Sequence, residues 1–220
     1  MSRHHDITFP NESAEYREAR DKLLDAEAEL RRRTEDVAVL RRALPLGGAL
    51  KEDYVFSDLN GHSVPLSTLF NGNNPDLLIY SFMYQDGGAA CPACTSLLDS
   101  LNGGTLHIRQ NLNFVVVAKA APETLKLWSE GRGWSNLSVL SSGSTAFNAE
   151  AQDGGQVPMV NVFRKTSEGI FHTWASELFF AVCEQDQHPR HVDQIWPLWS
   201  VHDLTFSGRP VNWFPAPFYE

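Results

Sequence analysis

The sequence has few cysteines, no long apolar run and no excess of basic residues, and each shortage excludes a class of protein. Three cysteines among 220 residues are too few for the disulfide framework of a small secreted domain. No stretch approaches the roughly 18 apolar residues of a membrane-spanning helix, and no apolar segment typical of a secretory signal follows the first residues. A net charge of −9 argues against nucleic acids and anionic membranes as partners, because both require a positive surface. We therefore expect a cytoplasmic protein that binds neither nucleic acid nor membrane.

The N-terminal region is rich in charge and carries a regular apolar stripe. Residues 11–44 hold 17 of the chain's 45 charged residues, and an apolar residue recurs at every seventh position: Tyr16, Leu23, Leu30, Val37 and Leu44. This spacing predicts one long helix, which Pro45 and the Gly47-Gly48 pair end. The stripe either packs against the rest of its own chain or forms a seam with a second copy.

The C-terminal region is rich in aromatic side chains, which cover a core or form an interface: Trp196, Trp199, Trp213, Phe214, Phe218 and Tyr219. Together with the stripe of the N-terminal helix, they make an apolar area that is large for a 220-residue monomer to bury. We therefore expect a homodimer.

From residue 51 onward, the pattern is one of strands alternating with helices. We predict a hairpin over 54–66, a buried strand over 77–83, a helix over 95–101 stopped by Asn102-Gly103-Gly104, a strand over 114–118, a helix over 122–130, a short strand over 137–140, antiparallel strands over 159–164 and 170–174, and a helix over 191–199. This order predicts an α/β, thioredoxin-like fold with an N-terminal long-helix extension. The predicted domains are the helical extension, 1–50, and a thioredoxin-like domain with an aromatic-rich C-terminal segment, 51–220.

The motif Cys91-Pro92-Ala93-Cys94 indicates a chemistry. It follows the buried strand and begins a helix, where unpaired backbone N–H groups and the helix dipole favour a thiolate. Cys91 is therefore the candidate nucleophile, and we expect it to be the more exposed and more acidic thiol. Cys94 lies one turn inside the helix and could resolve a mixed disulfide formed on Cys91.

Three other interpretations of the two cysteines are open. A zinc site would need two further ligands, and neither a second Cys-x-x-Cys nor a His-x-x-x-His spacing exists, so we expect no metal and no other cofactor. A peroxiredoxin-type peroxidase would need a hydroxyl residue three positions before Cys91, where Gly88 stands. The pair could also be inert on a scaffold. Cys183 is isolated, and we expect it to be dispensable.

Several segments together resemble the bacterial family called domain of unknown function 899: 44–56, Tyr80-Ser81-Phe82-Met83, Cys91 to Ser96, 113–119, 158–163, 189–193, Trp196-Pro197-Leu198-Trp199 and Asp203-Leu204-Thr205. The resemblance covers nearly the whole chain. It implies a thioredoxin-like fold and, as the family is described, a dithiol-disulfide oxidoreductase. Relatives usually carry bulkier, charged residues where this chain has Gln85 to Ala90, and proline where it has Cys183.

Pro158 is a candidate site residue because of its position in the thioredoxin-like topology. It immediately precedes a strand predicted to lie beside the cysteine helix, where thioredoxin-like proteins have a cis-proline that faces the disulfide. We therefore expect a cis Val157-Pro158 bond and a substrate groove shaped by Pro158. The expected activity is thiol-disulfide exchange with a protein or a small-molecule thiol or disulfide. The alternative is a non-enzymatic binding or scaffold protein.

Overall fold

The computed structural model describes residues 4–72, 74–143, 145, 147, 156–183, 190–210 and 212–219. The chain divides into two compact units, Met1–Pro45 and Leu46–Glu220. Across the described ranges, none of the helices combines the length and the apolar composition needed to cross a bilayer.

The first unit contains the predicted long helix, α1 (Ala14–Arg42). Ser13 caps it, since its side-chain oxygen accepts a hydrogen bond of 3.0 Å from the backbone N–H of Tyr16. Arg41 and Arg42 occupy the last turn, where positive charge is favourable to the helix dipole. None of the residues of α1 is buried.

The described residues of the second unit form a seven-stranded sheet with the order β2-β1-β5-β4-β3-β6-β7. The strands are β1 (Val55–Ser57), β2 (Ser63–Pro65), β3 (Asp76–Ser81), β4 (Asn113–Ala118), β5 (Val139–Ser141), β6 (Val160–Thr166) and β7 (Gly169–Ala175). The helices are α2 (Pro92–Ile108), α3 (Pro122–Arg132) and α4 (Leu198–Asp203), with 3-10 turns at Leu66–Leu69 and Glu177–Phe180.

Strands β3, β4 and β5 run parallel, whereas β6 and β7 are antiparallel to their neighbours. Helix α2 connects β3 to β4, and α3 connects β4 to β5. This is a thioredoxin-like α/β fold, so the fold predicted from the sequence is confirmed. The hairpin β1-β2 extends the sheet beyond β5 through an antiparallel contact at Ser57 and Ser141.

The two central strands are buried on both faces, as their continuous apolar runs predict. Tyr80 of β3 and Val116 of β4 face a cluster that includes Leu97 and Leu98 of α2. Neighbouring residues of the same strands face a second cluster on the opposite side of the sheet: Leu77, Ile79, Val115 and Val117. Strand β3, which leads to the cysteines, is therefore held from both sides.

Residues 46–50 run beside β7 and belong to the second unit, although the sequence suggested a division after residue 50. The backbone N–H of Gly47 donates to the carbonyl of His172 at 3.0 Å, and that of Leu50 donates to the carbonyl of Ile170 at 2.8 Å. A Cβ atom at Gly47 would lie 2.3 Å from the His172 carbonyl oxygen, so this close approach requires glycine.

Two helix predictions were wrong. Helix α2 continues through Gly103 and Gly104 to Ile108, because the fully buried Thr105 and the partly buried Leu101 and Ile108 anchor this stretch against the core and outweigh the weak helix propensity of glycine. The last helix spans Leu198–Asp203 rather than the predicted 191–199, and it begins after Pro197. Proline lacks a backbone N–H and is compatible with a helix start, where that donor has no partner.

Candidate active site

Cys91 occupies the N-cap position of α2, and Pro92 is the first residue of the helix. The backbone N–H of Cys91 donates to the carbonyl of Met83 at 3.0 Å, which closes the loop between β3 and α2. Its own carbonyl accepts from the backbone N–H and the hydroxyl of Thr95, each at 2.9 Å. The first cysteine is thus held by the end of a central strand and the start of a helix.

The loop before the cysteines is attached to the start of α3 by Asp86. Its carboxylate accepts hydrogen bonds from the backbone N–H of Ala121 at 3.0 Å and from the hydroxyl of Thr124 at 2.7 Å. The backbone N–H of Ala120 adds a bond of 2.9 Å to the carbonyl of Tyr84. We did not predict this role, although one signal was present: the residue at the N-cap of α3 is Ala121, whose side chain cannot cap a helix.

The Cys91 thiol is partly exposed and acidic. A hydrogen bond with the Cys94 side chain is the main cause that lowers the pKa of Cys91 to about 7, and burial works against it. The backbone N–H groups of Cys94 and Ala93 also favour the thiolate, with the Cys94 nitrogen 3.4 Å from the Cys91 Sγ. These donors are the free N–H groups of the first helical turn, on which our expectation of an acidic Cys91 depended.

Cys94 is the opposite of Cys91 in exposure and acidity. Its side chain is 1% exposed, and this burial, followed by its hydrogen bond to Cys91, raises the pKa of the Cys94 thiol well above its ordinary value. Both cysteines are free thiols. Cys91 is therefore the more exposed of the two thiols, and the pKa shifts of Cys91 and Cys94 run in the expected directions, whereas the roles of the two sulfur atoms in a reaction stay a prediction.

Tyr80 is a neighbour of Cys94 that the sequence analysis missed. It lies on β3, is 1% exposed and shares a hydrogen bond with the Cys94 sulfur. Burial, together with the nearby sulfur atoms, raises the pKa of Tyr80, so the phenol keeps its proton and can donate it in that bond. The available signal was a hydroxyl-bearing aromatic residue that directly follows three aliphatic residues of the buried strand, Leu77, Leu78 and Ile79.

The rest of α2 is attached to α3 and the C-terminal region through polar contacts. Asp99 of α2 accepts a hydrogen bond of 2.8 Å from the indole N–H of Trp134 and forms an ion pair with Arg132. The indole N–H of Trp196 donates to the hydroxyl of Ser96 at 3.3 Å. Trp196 and Trp199 are buried, whereas Trp213, Phe214, Phe218 and Tyr219 of the same aromatic segment are exposed.

The prediction of a cis bond before Pro158 was wrong, since the described residues contain no cis peptide bond. An extended trans segment already brings the Met159 carbonyl to within 2.7 Å of the backbone nitrogen of Ser81, and the trans isomer is intrinsically favoured by about 0.5–1 kcal/mol. Pro158 therefore lies one residue from the contact between β6 and the end of β3. A groove role for it stays a prediction.

Gly88 lies in the loop that leads to Cys91, whereas Cys183 and His172 lie in other segments of the chain. Gly88 donates its backbone N–H to the carbonyl of Gln85 in a turn of the loop before Cys91. Cys183 is exposed, and His172 is a strand residue whose ring nitrogen lies 3.1 Å from the Asn161 side-chain oxygen. No group of three or more His, Cys, Asp or Glu side chains suited to a metal ion is found in the described part of the chain.

Comparison with protein families gives one clear result. Residues 5–217 match the family described as bacterial protein of unknown function (DUF899). The chain belongs to this family. No curated protein matches its sequence.

Solved structures with a similar fold include peroxiredoxins. Peroxiredoxin Q of Xanthomonas campestris is 14% identical, with 71% of this chain and 96% of that chain covered and a TM-score of 0.47. A cysteine-to-serine mutant of Xylella fastidiosa PrxQ is 13% identical, with coverages of 72% and 97% and a TM-score of 0.49. A hypothetical protein from Sinorhizobium meliloti 1021 is 15% identical, with coverages of 73% and 84% and a TM-score of 0.44. Likeness at this level carries no information on activity.

Proposed function

We propose that this DUF899 protein is a thiol-disulfide oxidoreductase in which Cys91 attacks and Cys94 resolves. The observation that carries the proposal is the contrast between the two thiols at the start of α2. One is partly exposed with a pKa of about 7, and its neighbour is buried with a raised pKa. A thiol of pKa near ambient pH combines a large thiolate fraction with good nucleophilicity.

The reaction begins when the Cys91 thiolate attacks one sulfur of a substrate disulfide. The substrate S–S bond breaks, its other sulfur leaves as a thiolate, and a mixed disulfide forms between Cys91 and the substrate. Cys94 then loses its proton to solvent or to the departing thiolate and attacks the Cys91 sulfur. The second substrate thiolate leaves, so the substrate is reduced by two electrons and the protein holds a Cys91–Cys94 disulfide. With a dithiol substrate, the same steps run in reverse.

The two environments suit the two steps. The hydrogen bonds at the start of α2 favour the thiolate form of Cys91 before the substrate arrives. Cys94 stays protonated, so it does not compete for the substrate, and the Tyr80 hydroxyl supports its thiolate when it attacks. We also assign Pro158 to the substrate groove, because proline has no N–H and leaves adjacent strand backbone open to pair with an extended substrate.

The test is a trapping experiment with single-cysteine variants in a Cys183→Ser background. Cys94→Ser should accumulate mixed disulfides with an added disulfide-containing peptide, since no thiol remains to resolve them. Cys91→Ser should form none, because the remaining thiol is buried and protonated. The Cys183→Ser variant alone is the control and should keep disulfide-reductase activity within about twofold. Failure of Cys94→Ser to trap the peptide would overturn the proposal and favour a non-enzymatic scaffold.

A further inference from the structure

One face of α1 consists of residues at the first and fourth positions of a seven-residue repeat. We call this face, together with Leu44 just beyond the end of the helix, the seam: Tyr16, Ala19, Leu23, Ala26, Leu30, Arg33, Val37, Leu40 and Leu44. Every seam residue is exposed, and the exposed fraction reaches 68% at Leu30 and 66% at Leu40. Large apolar side chains repeated at this spacing over four heptads are the pattern of a coiled coil.

The first unit covers the opposite face of α1 and leaves the seam open. The chain before the helix folds back along it, so that the His4 Nε2 lies 2.8 Å from a carboxylate oxygen of Asp25. Arg17 donates to the carbonyl of Ile7 at 3.4 Å and pairs with Glu12 at 3.4 Å. Arg17 and Asp25 lie away from the seam in the heptad. The N-terminal segment is therefore not the seam's occupant.

We propose that the seam joins two copies of this chain in a parallel, in-register, two-stranded coiled coil. The charged residues beside the seam indicate that it binds a second copy of the chain and that the two helices run parallel. Positions 15, 22, 29 and 36 each precede a first heptad position. In such a dimer, each of them faces the residue that lies five positions later in the sequence of the second copy. Lys22 then meets Glu27 of the second copy, Glu15 meets Arg20, and Asp36 meets Arg41.

Each of these three contacts joins opposite charges, and the fourth contact of this kind pairs Glu29 with the neutral Thr34. The two-fold symmetry of the dimer repeats every contact. In a single copy, at least four of these six residues have partners on their own helix: Lys22 pairs with Glu18 at 2.8 Å, Arg20 with Glu27 at 3.0 Å and Asp36 with Arg33 at 3.8 Å. The fully overlapping antiparallel alignment places Glu29 and Glu27 each against its own copy, and only Lys22 meets an opposite charge, that of Asp36. Charge pairing therefore favours the parallel, in-register alignment over that one.

Arg33 is the one charged residue of the seam, and its neighbours compensate it. Its guanidinium lies 3.1 Å from a Glu29 carboxylate oxygen and 3.8 Å from one of Asp36. In the in-register pairing Arg33 faces Arg33 of the second copy, so this layer lowers the stability of the dimer, and the carboxylates of Glu29 and Asp36 offset part of the repulsion.

The test measures the mass of the full-length protein by light scattering at micromolar concentration. The expected mass is twice 24.6 kDa. Leu30→Glu should weaken the dimer roughly 100-fold or more, because the change places two charges in the seam. The matched control is Val39→Glu, which introduces the same side chain at an exposed position of α1 outside the seam and should leave the dimer intact.

Two further variants test the orientation. Lys22→Glu should weaken the dimer, and adding Glu27→Lys should restore it, because the two positions face each other only in the parallel alignment. Ala19→Cys, in a chain whose three native cysteines are replaced by serine, should form an intermolecular disulfide under mild oxidation. A monomeric wild-type chain would overturn the proposal and point to an intramolecular cover for the seam. A dimer insensitive to Leu30→Glu would overturn it and place the interface elsewhere.

Discussion

Helices α1 and α2 show two ways in which a sequence makes a helix. Helix α1 has 29 residues, a regular heptad and no buried side chain. Helix α2 has 17 residues, contains adjacent glycines and buries five residues: Cys94, Thr95, Leu97, Leu98 and Thr105. The first follows from local sequence, whereas the second depends on the sheet beneath it. The contrast distinguishes a helix that its own sequence pattern predicts, α1, from a helix whose full length depends on packing against the sheet, α2.

The largest expected effect concerns apolar contacts. Leu97→Ala should lower the free energy of unfolding of the second unit by about 2–5 kcal/mol, since Leu97 is fully buried and leaves a cavity. Leu30→Ala on α1 should change it by less than about 0.5 kcal/mol. All six tryptophans lie in the second unit, so their fluorescence during urea unfolding reports on that unit. Equal effects of the two variants would contradict the contrast.

The second prediction concerns the two thiols at the start of α2. At about pH 7, iodoacetamide should alkylate Cys91 at least tenfold faster than Cys94, as measured by peptide mass spectrometry in a Cys183→Ser variant. The Cys91 rate should rise with pH around a midpoint of about 7. Because the folded pKa of Cys91 is lowered, its contribution to stability is present above the ordinary thiol pKa and is lost as pH falls through about 7. Similar rates at the two cysteines would contradict the assignment.

The third prediction tests the link between the cysteine loop and α3. Asp86→Ala should destabilise the second unit by about 1–2 kcal/mol, because it removes the acceptor that caps α3 from outside. Asp86→Asn is the matched control and should lose less, since its amide oxygen can still accept. Chemical denaturation of the three proteins gives the comparison. If Asp86→Ala had no effect, the loop would be held by its backbone bonds alone.

The smallest expected effect concerns the glycines within α2 and at the end of α3. Gly104→Ala should stabilise the second unit by about 0.5–1 kcal/mol, because nothing lies within 4 Å of the added Cβ and alanine favours a helix. Gly133→Ala, at the end of α3, should destabilise instead, since that residue has φ of +67°. Thermal unfolding distinguishes the two signs. A loss of stability in Gly104→Ala would mean that α2 requires flexibility at that point.

Sequence reasoning succeeded where one short pattern decides the outcome. The apolar runs of β3 and β4, the heptad of α1 and the cysteines at a helix start are each contained within a continuous segment. It failed where distant residues compete with local preference. Gly103 and Gly104 remain helical because Thr105 is buried, and the Val157-Pro158 bond is trans although the topology suggested cis. The capping of α3 by Asp86 joins residues 35 positions apart.

The sequence by itself determined the order of strands and helices, the placement of Cys91 and Cys94 at the start of α2, and the apolar stripe of α1. These features depend on side-chain periodicity and on short-range backbone preferences, which act within a few residues. Only the tertiary structure decided the burial of Cys94, its contact with Tyr80 and the attachment of the cysteine loop to α3. Desolvation and hydrogen bonding depend on groups that the fold brings together from separate parts of the chain, and these interactions set the acidity of the two thiols.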